Sequence, residues 1–171
     1  MDTLTAIHTR RSVRAFAPGP VSEEDLQTLL EAAMAAPSAG NAQPWAFLVI
    51  TDPALLERVP DMNPYANMAP RAPLSILVCG DTAAEKYPGF WVQDCSAATQ
   101  NLMLAARAIG LGSVWTGIHP MEDRVAKARD LFHLPETLIP LGLVVVGRPR
   151  TEQKRENRFA PEKVRRNLWE E

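Results

Sequence analysis

Three arginines and one serine fall within five positions of the run Thr9-Arg10-Arg11-Ser12-Val13-Arg14-Ala15-Phe16. A guanidinium is a planar fork of donors that grips a phosphate at two points and stays charged at any physiological pH. A hydroxyl among such forks adds one donor and an acceptor. The chemistry on offer is anion binding; the plainer reading is a solvated basic turn. Charge placement bears on the choice. Of the 18 Lys and Arg residues, these three and eight more between Arg148 and Arg166 sit in two short terminal segments. If the fold brings those segments together they make one cationic site, and a phosphate-bearing ligand is the economical occupant. A nucleic acid would require a broader basic stripe with interleaved aromatics. The formal net charge of -2 creates no global attraction to nucleic acid or to a membrane surface.

A second set of polar groups lies in Ala36-Pro37-Ser38-Ala39-Gly40-Asn41-Ala42-Gln43-Pro44-Trp45, continuing into Ala46-Phe47-Leu48-Val49-Ile50. The two prolines fix φ and remove two donors. They also push Ala36 and Gln43 toward extended geometry. The result is a stiffened loop displaying Ser38, Asn41 and Gln43 beside bare backbone. Such a loop can wrap the polar edge of a flat ligand; as turn chemistry alone it is an ordinary helix-to-strand connection. A third stretch runs from Gln100-Asn101-Leu102 to Gly110-Leu111-Gly112-Ser113-Val114-Trp115-Thr116-Gly117.

Other chemistries lack their signatures. Gly110-Leu111-Gly112 is followed by Ser-Val-Trp without a third glycine, so a Rossmann dinucleotide site is not expected. There is no P-loop, HExxH or GxSxG. His8, His119 and His133 are far apart and show no metal spacing. Each reads as structural or solvated, and His119, just after the Trp-Thr-Gly segment, is the one to watch. Neither a metal site nor a dedicated catalytic acid–base set is expected.

The elements that position these groups follow from periodicity. Residues 2–9 read as a short helix with Leu4, Ile7 and His8 on one face, followed by the Pro18-Gly19-Pro20 turn. Ser22 reads as an N-cap, with Glu23, Glu24 and Asp25 in the first turn. Leu26, Leu29, Leu30, Ala33 and Met34 then give one apolar helical face up to the Pro37 boundary. A strand is expected at 45–51. Prolines punctuate 53–73 into a short helix around Ala54–Val59 and a long loop carrying Asn63, Tyr65 and Asn67. Buried strands are expected at 74–80 and 139–147. The longest helix spans 92–109, apolar on more than one side and therefore buried or paired with another chain, with Gly110 at its C′ position. Another helix covers about 121–132. The charged tail 148–171 spaces Phe159, Val164, Leu168 and Trp169 as apolar anchors, which favours a segment lying across another surface.

With 171 residues, 46% of them hydrophobic and 22% charged, the chain has the make-up of one globular domain with a real core. Cys79 and Cys95 form no disulfide framework and read as small buried apolar groups. No run of about 18 apolar residues and no N-terminal h-region is present, so a cytoplasmic protein is expected.

Taken in order, RRSVRAF, APSAGNAQPWAFLVI and the QNL…GLGSVWTG stretch resemble the nitroreductase family of FMN-dependent NAD(P)H oxidoreductases. The resemblance implies an α+β fold: a mostly antiparallel sheet flanked by helices, in an intertwined homodimer whose C-terminal tails, 148–171, cross to the partner subunit. It implies FMN as cofactor, NADH or NADPH as hydride donor, and a small-molecule acceptor such as a nitroaromatic or quinone, in alternating half-reactions. Arg10, Arg11, Ser12 and Arg14 would serve the phosphate, ribityl and ring-nitrogen side. Pro37, Ser38, Ala39, Asn41 and Gln43 would line the flavin from the other subunit. Trp115, Thr116 and Gly117 would pack on the ring, with backbone N–H groups of Thr116 and Gly117 as donors. Arg158 begins a family-like close, Arg158-Phe159-Ala160-Pro161-Glu162-Lys163-Val164. Two departures stand out: Ala39 replaces a serine, and Glu156 replaces a lysine, for which Lys154 or Arg155 can substitute. Same-fold alternatives are an oxidative dehydrogenase or dehalogenase; a non-catalytic flavin-binding module is another.

Overall fold

The computed structural model describes residues 1–169. Glu170 and Glu171, the end of the expected crossing tail, lie outside the described residues. Four strands form one sheet: β1 (Trp45–Ile50), β2 (Leu74–Asp81), β3 (Gly112–Gly117) and β4 (Leu138–Gly147), in the order β1-β2-β4-β3. Every pairing is antiparallel, as the α+β expectation required. The central strands carry the continuous apolar runs because both their faces are covered. Leu77, Cys79, Leu143 and Val145 point into one core, while Leu74, Ile76, Val78, Val144 and Val146 point into the other. A register shift between Val78 and Cys79 leaves Leu141 without an opposite residue, and Leu141 joins the second core.

The second core is closed by α2 (Glu23–Met34) and α4 (Trp91–Ala108). The Ser22 side chain accepts from Asp25 N at 3.1 Å, the cap expected from sequence. Leu29 and Ala33 of α2 are fully buried and Met34 is exposed. The first core is closed by α3 (Pro53–Met62), α5 (Glu122–Phe132) and the turns that follow α3. The short α1 (Thr3–Thr9) lies against α4.

The segment 53–73 differs from its sequence expectation. The helix does not stop near Val59 but passes through Pro60 to Met62. Pro60 removes one intrahelical donor. Burial of Leu56, Val59 and Met62, each at most 3% exposed, offsets that loss. Asn63 is not a displayed loop residue: it is fully buried, capping the next turn through Tyr65 N at 3.1 Å. Among the described residues, no helix is long and apolar enough to cross a membrane.

Candidate functional site

The arginine motif is held beside β3 by a single bridge. Val13 N donates to Ser113 O at 2.9 Å, and Ser12 bridges Ser113 in parallel register beyond β3. A Cβ on Gly112 would stand 2.8 Å from Val13 Cγ2, so glycine permits this close approach. Phe16 then bridges Pro149, and Ala17 N donates to Arg148 O at 2.8 Å. The two basic termini are thereby laid side by side.

Gln153 fastens them. It is buried, and its Oε1 accepts Arg11 N at 3.0 Å. Arg107, near the end of α4, donates to Thr9 Oγ1 at 2.8 Å and to Gln153 O at 3.4 Å. A cavity of about 340 Å³ opens between α1 and the tail, lined by Arg10, Arg11, Arg155 and Arg158 with Glu156 among them. A second, of about 500 Å³, lies on the other side of Arg11 and is lined by Ser12, Arg14, Gln153 and Lys154. Arg11 Nη2 and Gln153 Nε2 are buried donors without a partner among the described residues. Burial, then Arg158 and Arg11, push the Arg10 guanidinium below its ordinary value. Like charges so crowded gain most from an anion placed between them.

Where the family-like lysine was missing, Glu156 accepts from Arg158 Nη2 at 2.7 Å and Nε at 3.0 Å. Its Oε1 lies 3.4 Å from Arg11 Nε. Arg155 shares that cavity, whereas Lys154 faces the second one.

The Pro37–Gln43 loop sits elsewhere. Gly40, Asn41 and Gln43 all have positive φ, at 58°, 54° and 50°. Gln43 N donates to Ser38 Oγ at 2.9 Å, and Gln43 Nε2 donates to Asn41 Oδ1 at 3.1 Å. The exposed Pro37 leads into this turn, and Ala39 N donates to the buried Asp94 carboxylate at 3.0 Å. Asp94 lies in the first turn of α4, whereas Arg107 lies in its last. Thirteen residues of helix separate the two places by about 20 Å. Within one chain the loop and the arginine cluster therefore do not meet.

The third stretch links the first to the far end of the sheet. Ser113 O and Gly117 O both point off the free edge of β3, the latter accepting from Asn63 Nδ2 at 3.0 Å and Arg124 Nη1 at 3.1 Å. By strand alternation Trp115 presents its backbone on this edge, while Thr116 faces β4. The Thr116 hydroxyl is spent on Leu143 O at 3.2 Å and is buried. Of the expected pair of backbone donors, Gly117 faces outward with Trp115, while Thr116 faces β4. Trp115 also packs its ring toward the second core.

Sequence reasoning missed Asp94, Arg107 and Gln153, which hold the motifs in place. Their signal was faint: a lone acid in a helix's first turn and one basic residue in its last. His119 packs its ring edge-on to Trp91 at 4.9 Å. No cluster of three His, Cys, Asp or Glu suited to a metal occurs among the described residues.

The Nitroreductase family model matches residues 7–63 and 60–148. A Methanothermobacter thermautotrophicus protein named as an NADH dehydrogenase/NAD(P)H nitroreductase is 46% identical over 169 residues, 99% of this chain and 88% of that one. The crystal structure of a similarly named Parabacteroides distasonis protein matches with a TM-score of 0.93 at 38% identity, covering 98% of each chain. A Desulfovibrio desulfuricans protein named as a nitroreductase, solved in complex with FMN, matches with a TM-score of 0.85 at 30% identity, covering 99% of each chain.

Proposed function

The chain belongs to the nitroreductase family, and from that premise we propose how its residues serve an FMN-dependent NAD(P)H oxidoreductase. The observation that carries this reading is the cationic cavity built from both chain ends, where Arg10, Arg11, Arg155 and Arg158 converge. Those residues fit a phosphate monoester: Arg10, Arg11, Arg155 and Arg158 offer planar forks, and Ser12 and Arg14 flank the adjoining cavity. Bound FMN would supply the redox chemistry, taking hydride from NADH or NADPH and passing electrons to an acceptor.

The protein's share is binding, orientation and exclusion of water. Ser12 and Arg14 would serve the ribityl and ring-nitrogen side. The outward backbone of Trp115 and Gly117 would approach the ring, and Thr116 would hold that edge flat against β4. Pro37, Ser38, Ala39, Asn41 and Gln43 are too far from the arginines within one chain. A two-fold homodimer would let this loop meet the arginine cluster of the partner. The single domain would then extend a tail, 148–171, across the partner. The acceptor would be a small molecule such as a nitroaromatic or quinone, the half-reactions would alternate, and the setting would be cytoplasmic.

An absorbance spectrum of the purified protein tests the reading directly. A flavin spectrum that bleaches on anaerobic addition of NADH or NADPH, and returns with a nitroaromatic or quinone, is expected. Flavin that binds without bleaching would mean a non-catalytic module. Bleaching without acceptor turnover would point to the dehydrogenase or dehalogenase alternative.

A further inference from the structure

Glu156 stands among the guanidinium groups that line the arginine cavity. Both Nε and Nη2 of Arg158 are turned onto its Oε2, at 3.0 and 2.7 Å, and Arg11 Nε stands 3.4 Å from its Oε1. Arg158, then Arg11, hold the Glu156 carboxyl below the usual carboxylate range. It is therefore ionised at neutral pH. Its side chain is 56% exposed, so no core packing requires this conformation. The cavity sets four guanidinium groups against this one carboxylate, so its lining stays net positive. Yet a phosphate seeking the Arg158 fork finds two of its donors taken, and two anions within a few ångströms repel one another.

We propose that Glu156 is an internal counter-anion that the flavin phosphate must displace from Arg158, which weakens the hold of this protein on FMN and speeds its release. The inference rests on the flavin reading above. It treats Glu156 as a specificity-determining residue: a competitor for the phosphate, blind to the ring. The opposite role would be a brace that orients Arg11 and Arg158 for the phosphate. The two roles predict effects of opposite sign when the carboxylate is removed.

The test uses flavin-stripped full-length protein: wild type, Glu156→Gln and Glu156→Ala, titrated by fluorescence with FMN and with riboflavin, and by calorimetry with inorganic phosphate. Both variants should fold as wild type, because the side chain is exposed; a melting curve checks this. One charge-assisted contact freed for the phosphate is expected to tighten FMN by about tenfold in both variants. Dissociation of FMN should slow accordingly, and riboflavin affinity should move by less than about twofold, because riboflavin carries no phosphate. Unchanged or weaker FMN binding in both variants overturns the proposal, and equal tightening of riboflavin does too. If the wild type binds neither flavin, the functional reading itself fails. Glu156 is then judged on inorganic phosphate alone, and no gain of affinity in the variants overturns its role.

Discussion

The carboxylate of Asp94 accepts the backbone N–H of Ala39 at 3.0 Å, tying the first turn of α4 to a loop 55 positions earlier in the chain. Asp94 is 6% exposed, and its second oxygen has no partner among the described residues. The loop holds Asn41 and Gln43 at positive φ, a conformation that strains a non-glycine residue and needs outside support. Asp94→Ala should leave Ala39 N unsatisfied and lower stability by about 1–3 kcal/mol. Asp94→Asn keeps an acceptor and should lose less. Urea unfolding of the two variants checks the order; equal losses would mean the charge, not the hydrogen bond, is what matters.

Arg10 should serve the phosphate of the flavin and not its ring. Replacing it with alanine removes one charge-assisted contact, and FMN should weaken about 10- to 150-fold. Riboflavin should already bind poorly to the wild type and change little in the variant. Parallel fluorescence titrations decide, and equal wild-type affinity for the two flavins would falsify this assignment.

No histidine is expected to move protons in the reaction. His119 is packed against Trp91. His133 ends α5 with φ 52°, and His8 sits at the exposed rim of the arginine cavity. Alanine at each, singly, should keep anaerobic flavin reduction within about tenfold of wild type, below the usual contribution of general acid–base catalysis. A loss of several hundredfold at one of them, with FMN still bound, would identify a catalyst.

Both cysteines should be inert. Burial pushes Cys79 and Cys95 from 9.0 up to about 12, and the thiolate is the reactive form. Folded protein at pH 8 should react with a thiol reagent only at the rate of unfolding, whereas denatured protein should react at once. The linkage has a definite sign. Both groups hold their protons more tightly when folded, so their effect on stability is absent below about pH 9 and turns unfavourable as pH rises toward about 12. Cys95→Ala should flatten that alkaline decline in a pH series of melting curves.

The tail should make the dimer and complete the flavin site. Phe159, Leu168 and Trp169 are 69–75% exposed and Val164 is 55% exposed. On α1, Leu4 and Ile7 are uncovered as well, at 67% and 45%. Each large side chain buried against a partner is worth about 1.5–3 kcal/mol. Truncation after Arg148 should lower both dimer stability and FMN occupancy, while Arg158→Ala should lower occupancy alone. Sedimentation with flavin fluorescence reads both, and a truncated protein that stays dimeric and fully yellow would refute the proposal.

Much of the scaffold was legible in the sequence because the forces behind it act over a turn or two. The Ser22 cap, the apolar face of α2, the length of α4 and the two-faced strands β2 and β4 all depend on neighbours within a few positions. The cationic character of the cavity was legible too, since the basic residues at the two chain ends declare their charge by residue type. Only the tertiary structure decided which of these groups meet. Pro60 stays helical because the core rewards Leu56 and Met62. Asn63 and Thr116 spend their side chains on the scaffold. Arg11 meets Gln153 across 142 positions, and Asn63 meets Gly117 across 54. Periodicity carries no record of such partners. They are set when the strands β1 to β4 take their order and the two ends of the chain close over one edge of the sheet.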